Sequence, residues 1–175
     1  MSDSLLDRVN KGILGLKPYE PGKPINETQK ELGIKNIIKL ASNENPLGIS
    51  PKAFKVISEN KDLNRYPDGN ATSFKEVVSQ IEKIKTSMIT VGNGSNDLIE
   101  FVSKCFLSEG DNAIYSQHGF AIYPLAIKST GAKAIKAKAR DWGHDLNLMK
   151  DLVDEKTKVI FLATPNNPTG TVLES

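Results

Sequence analysis

Between residues 50 and 163 the apolar residues keep changing period, and that alternation restricts the fold more than any other feature of the chain. Short apolar or β-branched runs stand at 88–91, 113–115 and 159–163, and 134–139 is another strand candidate. Between them apolar residues recur at helical spacing: Phe74, Val77, Val78, Ile81 and Ile84, then Leu98, Ile99, Phe101, Val102, Cys105 and Phe106, then Leu148, Leu152 and Val153. Residues 120–129 read as a further helix, either started at Tyr123 or kinked by Pro124. Strands alternating with helices predict an α/β fold: a three-layer, mainly parallel sheet with helices on both faces. The runs at 88–91, 113–115 and 159–163 are expected in one sheet. The last is continuously apolar, the pattern of a strand buried on both faces.

Punctuation supports the division. Ser50-Pro51 reads as an N-cap followed by proline at the first helical position. Pro67, Asp68 and Gly69 form a turn, and Ser73 with Glu76 fits a capping box. Gly92 ends a strand, Gly110 stops a helix and Gly131 caps one. The first 45 residues differ. KPYEPGKPIN at 17–26 holds three prolines, which disfavour helix interiors and central strands. Residues 1–45 are therefore read as a short helix and an extended arm lying on another surface, and 46–175 as the first part of the sheet domain.

Composition excludes several functions. With 23 Lys and Arg against 21 Asp and Glu, the net charge of +2 is too balanced for an electrostatic nucleic-acid binder. One cysteine rules out an internal disulfide and leaves no sign of an oxidising compartment. No apolar run approaches the length of a membrane span, and the polar start MSDSLLDRVN lacks a signal-peptide core. The expectation is a cytoplasmic protein without membrane or nucleic-acid partners. His118 and His144 lie far apart and make no metal-ligand pattern with Cys105, so no metal is expected. Cys105 sits on an apolar stripe, where a thiol behaves as a small hydrophobe rather than a nucleophile.

In open parallel sheets ligands bind beyond the carboxyl ends of the strands. Three segments fall there. Gly92-Asn93-Gly94-Ser95-Asn96-Asp97 follows a strand and opens a helix, so small residues and unpaired first-turn N–H groups meet where an anion is favoured. It reads equally as a tight turn with Ser95 as N-cap and Asp97 complementing the dipole. Thr164-Pro165-Asn166-Asn167-Pro168-Thr169-Gly170 is stiffened by two prolines and offers two amide side chains. His118-Gly119-Phe120-Ala121-Ile122-Tyr123 places two aromatics three apart, a wall for a ligand or plain core. Two further loops, Ser42-Asn43-Glu44-Asn45-Pro46-Leu47-Gly48 and Arg65-Tyr66-Pro67, carry little signal alone.

Taken in this order, and with Tyr19-Glu20-Pro21-Gly22 and Leu40-Ala41 before them, these motifs resemble the histidinol-phosphate aminotransferase family, within the fold-type I pyridoxal-phosphate enzymes. The resemblance runs from about residue 15 to the end and implies the incomplete large domain of such an enzyme. It implies pyridoxal 5'-phosphate as cofactor, with its phosphate on the backbone N–H groups of Gly94, Ser95 and Asn96. Phe120 matches the aromatic that stacks on the ring, and Asn167 the asparagine that hydrogen-bonds the ring hydroxyl. Tyr66 matches the tyrosine that reaches the partner subunit's cofactor, which implies a homodimer. Tyr19 and Asn43 match positions lining the substrate site. Ser116-Gln117-His118-Gly119 departs from the commoner Pro-Thr before the stacking aromatic.

No catalytic residue is assigned, because in the family the lysine that carries the cofactor lies beyond the last motif. Lys104, in the single Ser-Lys pair, is read as a solvated helix residue. The implied reaction interconverts L-histidinol phosphate plus 2-oxoglutarate with imidazole acetol phosphate plus glutamate, the amino group moving from glutamate to the keto phosphate in histidine biosynthesis. The alternatives are a non-catalytic fragment, an aromatic-amino-acid aminotransferase or a threonine-phosphate decarboxylase.

Overall fold

The computed structural model describes residues 8–19, 21–40 and 42–174. They divide into two compact units, Met1–Tyr19 with Thr90–Ser175, and Glu20–Ile89.

The first unit is built on a parallel three-stranded sheet. Strand β1 (Asn112–Ser116) is central, flanked by β2 (Lys133–Ala137) and β3 (Thr157–Phe161). The chain passes from β1 to β2 through a helix at Ile122–Ser129, then back across β1 to β3 through one at Leu146–Asp151. Parallel crossovers are right-handed, so reversing the direction of travel puts the two helices on opposite faces. The packing agrees. Ala113 of β1 joins Leu107, Ile127 and Ala132 on one face, while Ile114 joins Ala137 and Met149 on the other. Adjacent strand residues point to opposite faces, so one strand serves both cores. The three-layer α/β expectation holds.

Several expectations need correction. The run at 159–163 is not the most buried strand; β1 is. Strand β3 is an edge, with Ile160 41% and Leu162 46% exposed. Val159 and Phe161 pack toward the first core, but the other face of β3 lacks full cover, so a continuous apolar run overstates its burial. The run at 88–91 forms no strand. Thr86–Met88 is a single 3-10 turn, and Ile89 is extended at φ −112° and ψ 120° without a ladder partner. The local preference for extended backbone is met there; the pairing that makes a strand is not.

The helix at Ser95–Phe106 packs on the Ile122–Ser129 helix and on β3. Its inner line is Ile99, Ser103 and Leu107, spaced four apart, with Ser103 1% exposed and Leu107 6%. The predicted stripe through Phe101, Val102, Cys105 and Phe106 faces outward, and Cys105 is exposed rather than packed. A small serine on the inner line lets the helix lie close to the sheet, and that contact decides which face turns in.

In the second unit the helices are α1 (Ile25–Leu32), α2 (Pro51–Glu59) and α3 (Thr72–Glu82); those of the first unit follow as α4 (Ser95–Phe106), α5 (Ile122–Ser129) and α6 (Leu146–Asp151). Helix α1 lies where an extended arm is expected, and residues 8–16 are turns rather than the short helix, whose first seven residues fall outside the described chain. The proline run ends at Pro24, which takes the N-cap position, and Gly33 closes the helix at φ 65° with its N–H on Gln29. Helix α2 has Pro51 in its first turn, as predicted, but the Ser50 side chain makes no cap. The capping box at Ser73 and Glu76 does not form either, since α3 starts at Thr72. Asp68 takes over: its carboxylate accepts the N–H of Thr72 at 2.8 Å and of Asn70 at 2.9 Å. These bonds, led by that of the Thr72 side chain, bring its pKa down to about 2.

Candidate functional site

The carboxyl ends of β1 and β3 carry the two loops singled out by sequence. After β1 the Gln117 N–H donates to Ala137 at 2.8 Å, and the Gln117 side chain accepts the Ala139 N–H at 3.1 Å, tying the loop to β2. The chain then turns tightly at Gly119, whose N–H reaches the Ser116 carbonyl at 2.9 Å. A Cβ there would lie 3.1 Å from that carbonyl oxygen and 3.3 Å from the Tyr123 ring, so a side chain is poorly accommodated. Helix α5 begins at Ile122 and holds Pro124 in its first turn, where the missing N–H is no loss.

Phe120 is half-buried at this turn. Its ring meets Tyr123 edge-on, centroids 6.0 Å apart, and Tyr123 stacks on Phe161 of β3 at 4.8 Å. The two aromatics are in contact, and Tyr123, buried and stacked on the sheet, is core. Burial raises the pKa of the Tyr123 hydroxyl.

After β3 comes the proline-asparagine loop. Asn166 is 3% exposed and organises it. Its N–H donates to Thr171 at 2.8 Å, its carbonyl accepts from Gly170 at 2.7 Å, and its amide donates to Thr169 Oγ1 at 2.7 Å. The same amide crosses to the other loop, donating to the His118 carbonyl at 3.0 Å. Asn167, the predicted ring contact, is half-buried beside it. His118 stacks on Trp142 at 4.7 Å, and His144 Nε2 lies 2.8 Å from the Ala163 carbonyl.

The glycine loop opens α4. Gly94 takes φ 81° and supplies no capping side chain; Gly94, Ser95 and Asn96 are exposed. Ser95 is the first helical residue, not an N-cap. Asp97 turns its carboxylate back onto the Asn93 N–H at 2.8 Å. Helix α4 leads directly into β1 through residues 107–111 and so runs back along the sheet, which brings its first turn to the carboxyl end. Gly94, Ser95, Asn96, Phe120 and Asn167 thus all belong to the carboxyl side of the sheet unit. Tyr19 belongs to the same unit and is 53% exposed. Tyr66 and Asn43 belong to the second unit, where both are exposed. Lys104 pairs with Glu100 at 2.9 Å on the outer side of α4, in keeping with a solvated residue.

Sequence reasoning offered the amides of both Asn166 and Asn167 to a ligand, but the Asn166 amide is taken up by Thr169 and the His118 carbonyl. Adjacent identical side chains on an irregular loop take different environments. Nothing local announces the His118–Trp142 stack, which joins residues 24 apart in sequence.

Three comparisons place the chain among known proteins. The profile of the family described as aminotransferase class I and II matches residues 35–175. Histidinol-phosphate aminotransferase 1 of Mannheimia succiniciproducens is 50% identical over 171 residues, 97% of this chain and 47% of that protein. The protein of the same name from Idiomarina loihiensis is 48% identical over the same shares. The chain thus spans about half the length of the curated relatives it matches. A crystal structure of histidinol-phosphate aminotransferase from Sinorhizobium meliloti in complex with pyridoxal-5'-phosphate superposes with a TM-score of 0.82, over 94% of this chain and 44% of that one, at 20% identity. At that identity the likeness speaks for the fold, and no described helix is long and apolar enough to cross a membrane. With the family profile matching most of its length, the chain belongs to the class I and II aminotransferases.

Proposed function

We propose that this chain is the amino-terminal half of a histidinol-phosphate aminotransferase, which interconverts L-histidinol phosphate plus 2-oxoglutarate with imidazole acetol phosphate plus glutamate. One observation carries the reading: relatives of that name are about half identical along 97% of the chain. Residues 1–45 act as an arm and 46–175 as the first part of the cofactor-binding domain.

The residues present fit pyridoxal phosphate. Helix α4 starts at a glycine with no capping side chain, so its first N–H groups and the positive end of its dipole are left for a phosphate. Gly94, Ser95 and Asn96 hold that phosphate. Phe120 covers one face of the ring and Asn167 binds its hydroxyl. When bound, the cofactor supplies an electron sink for the amino-bearing carbon. This half of the chain binds and orients; the lysine that handles the proton at that carbon belongs to the remainder of the enzyme. Tyr66 reaches the cofactor of a partner subunit in a homodimer, and Tyr19 and Asn43 line the substrate site.

The test is glutamate formation by the full-length protein from L-histidinol phosphate and 2-oxoglutarate. Faster turnover of an aromatic amino donor would overturn the substrate assignment. Asn167→Ala should weaken pyridoxal phosphate binding by about 1–3 kcal/mol, the cost of one buried unpaired partner. Residues 1–175 alone should give no turnover, since general acid–base help worth about 10²–10⁴-fold is missing.

A further inference from the structure

Phe120 and Asn167 sit on different loops, the first tied to β2 through Gln117 and the second closed by its own turn. The Asn166 side chain joins them directly. Asn166 has two amide hydrogens. One goes to Thr169 Oγ1 within its own loop, which stands 3.0 Å from Thr171 Oγ1, and the other goes to the His118 carbonyl two residues before Phe120. The orientation is forced, because the His118 carbonyl can only accept. A flipped amide would set oxygen against oxygen. Asn166 is also 3% exposed and bonded through both backbone groups, so it has no freedom to swing away.

We propose that Asn166 is a positioning residue: it locks the loop after β3 to the loop after β1, and so sets the spacing between Phe120 and Asn167. The proposal rests on the cofactor reading given above. It is specific to the ring half of the site. The phosphate cradle at Gly94, Ser95 and Asn96 lies on α4, outside both loops, and Asn166 has no bond to it. Loss of the clip therefore separates two affinities that a general loss of folding would lower together. Asn166→Asp keeps shape and volume but replaces both donated bonds with a carboxylate oxygen facing the His118 carbonyl.

The experiment uses the full-length protein and two probes, pyridoxal phosphate and inorganic phosphate, titrated at constant ionic strength. Asn166→Asp should raise the dissociation constant for pyridoxal phosphate about tenfold or more and leave that for inorganic phosphate unchanged. Asn166→Ala should show the same split without adding a charge, and serves if the aspartate variant does not fold. Trp142 is the only tryptophan of residues 1–175 and stacks on His118, so in a protein with any other tryptophan replaced by phenylalanine its emission without cofactor should shift in both variants. Equal losses for both probes would mean that Asn166 merely supports the fold, and an unchanged pyridoxal phosphate affinity would mean that the clip is dispensable; either overturns the proposal. A wild-type protein that binds neither probe overturns the cofactor reading itself, and with it the proposal.

Discussion

The two units share a sequence style and differ in what covers it. Helices α2 and α3 are amphipathic, with Phe54 and Ile57 on one and Phe74, Val77 and Ile81 on the other, yet these residues are 54–69% exposed and the described residues of the second unit include none that is buried. In the sheet unit Ala113, Ile114 and Ile127 are wholly buried. An apolar stripe is enough to mark a helix, since capping and propensity act within a few residues. Burial needs a second surface at the right distance, which β1 provides on both its faces.

The sharpest test compares matched truncations. Ile127→Ala should destabilise the protein by about 2–5 kcal/mol, the usual cost of emptying a core site. Ile57→Ala should cost no more than about 0.5 kcal/mol, as at other surface positions. Both are read from denaturant midpoints at constant slope. Equal losses would break the comparison and show that α2 is packed in solution.

A second test stays within the sheet unit. Asn10 donates to the Ser129 carbonyl at 3.4 Å, and Gly12 passes so close to the end of α5 that a Cβ would fall 2.1 Å from the Lys128 carbonyl oxygen. Gly12→Ala should detach residues 8–16 at a cost of about 1–3 kcal/mol. Proteolysis would show it, with new cleavage in this segment while β1 keeps its amide protection. Unchanged cleavage would place the segment elsewhere.

The smallest effect concerns acid. An unfolded aspartate titrates near pH 3.9, whereas the Asp68 bonds hold its folded value at about 2. The folded form therefore binds fewer protons between these values. Its contribution to the start of α3 is complete above about pH 4 and is lost as pH falls through about 2. Helical circular dichroism of the second unit should fade over that window, and Asp68→Asn should flatten the change. A fade centred at a higher pH would assign it to other carboxylates.

Much of the local backbone of the candidate site was legible because its signals are local. Glycines before a helix, an aromatic at a helix start and asparagines between prolines each say what the backbone does within a few residues. Sequence offered the amides of the neighbours Asn166 and Asn167 alike to a ligand, whereas the structure spends that of Asn166 within the protein. The difference is made by the His118 carbonyl, 48 residues away in sequence.

Sequence alone determined that strands alternate with helices, where most helices lie, that a glycine-rich loop opens a helix and that an asparagine-rich loop follows a strand. These properties depend on side-chain period and backbone preference over one or two turns. Tertiary structure alone decided that 112–116 is the centre of the sheet and 157–161 its edge, that 88–91 stays unpaired, and that Ser103 rather than Phe101 faces inward. Strand order and buried face are settled by partners far away in the chain. An apolar run is the same string of residues whether one neighbour covers it or two.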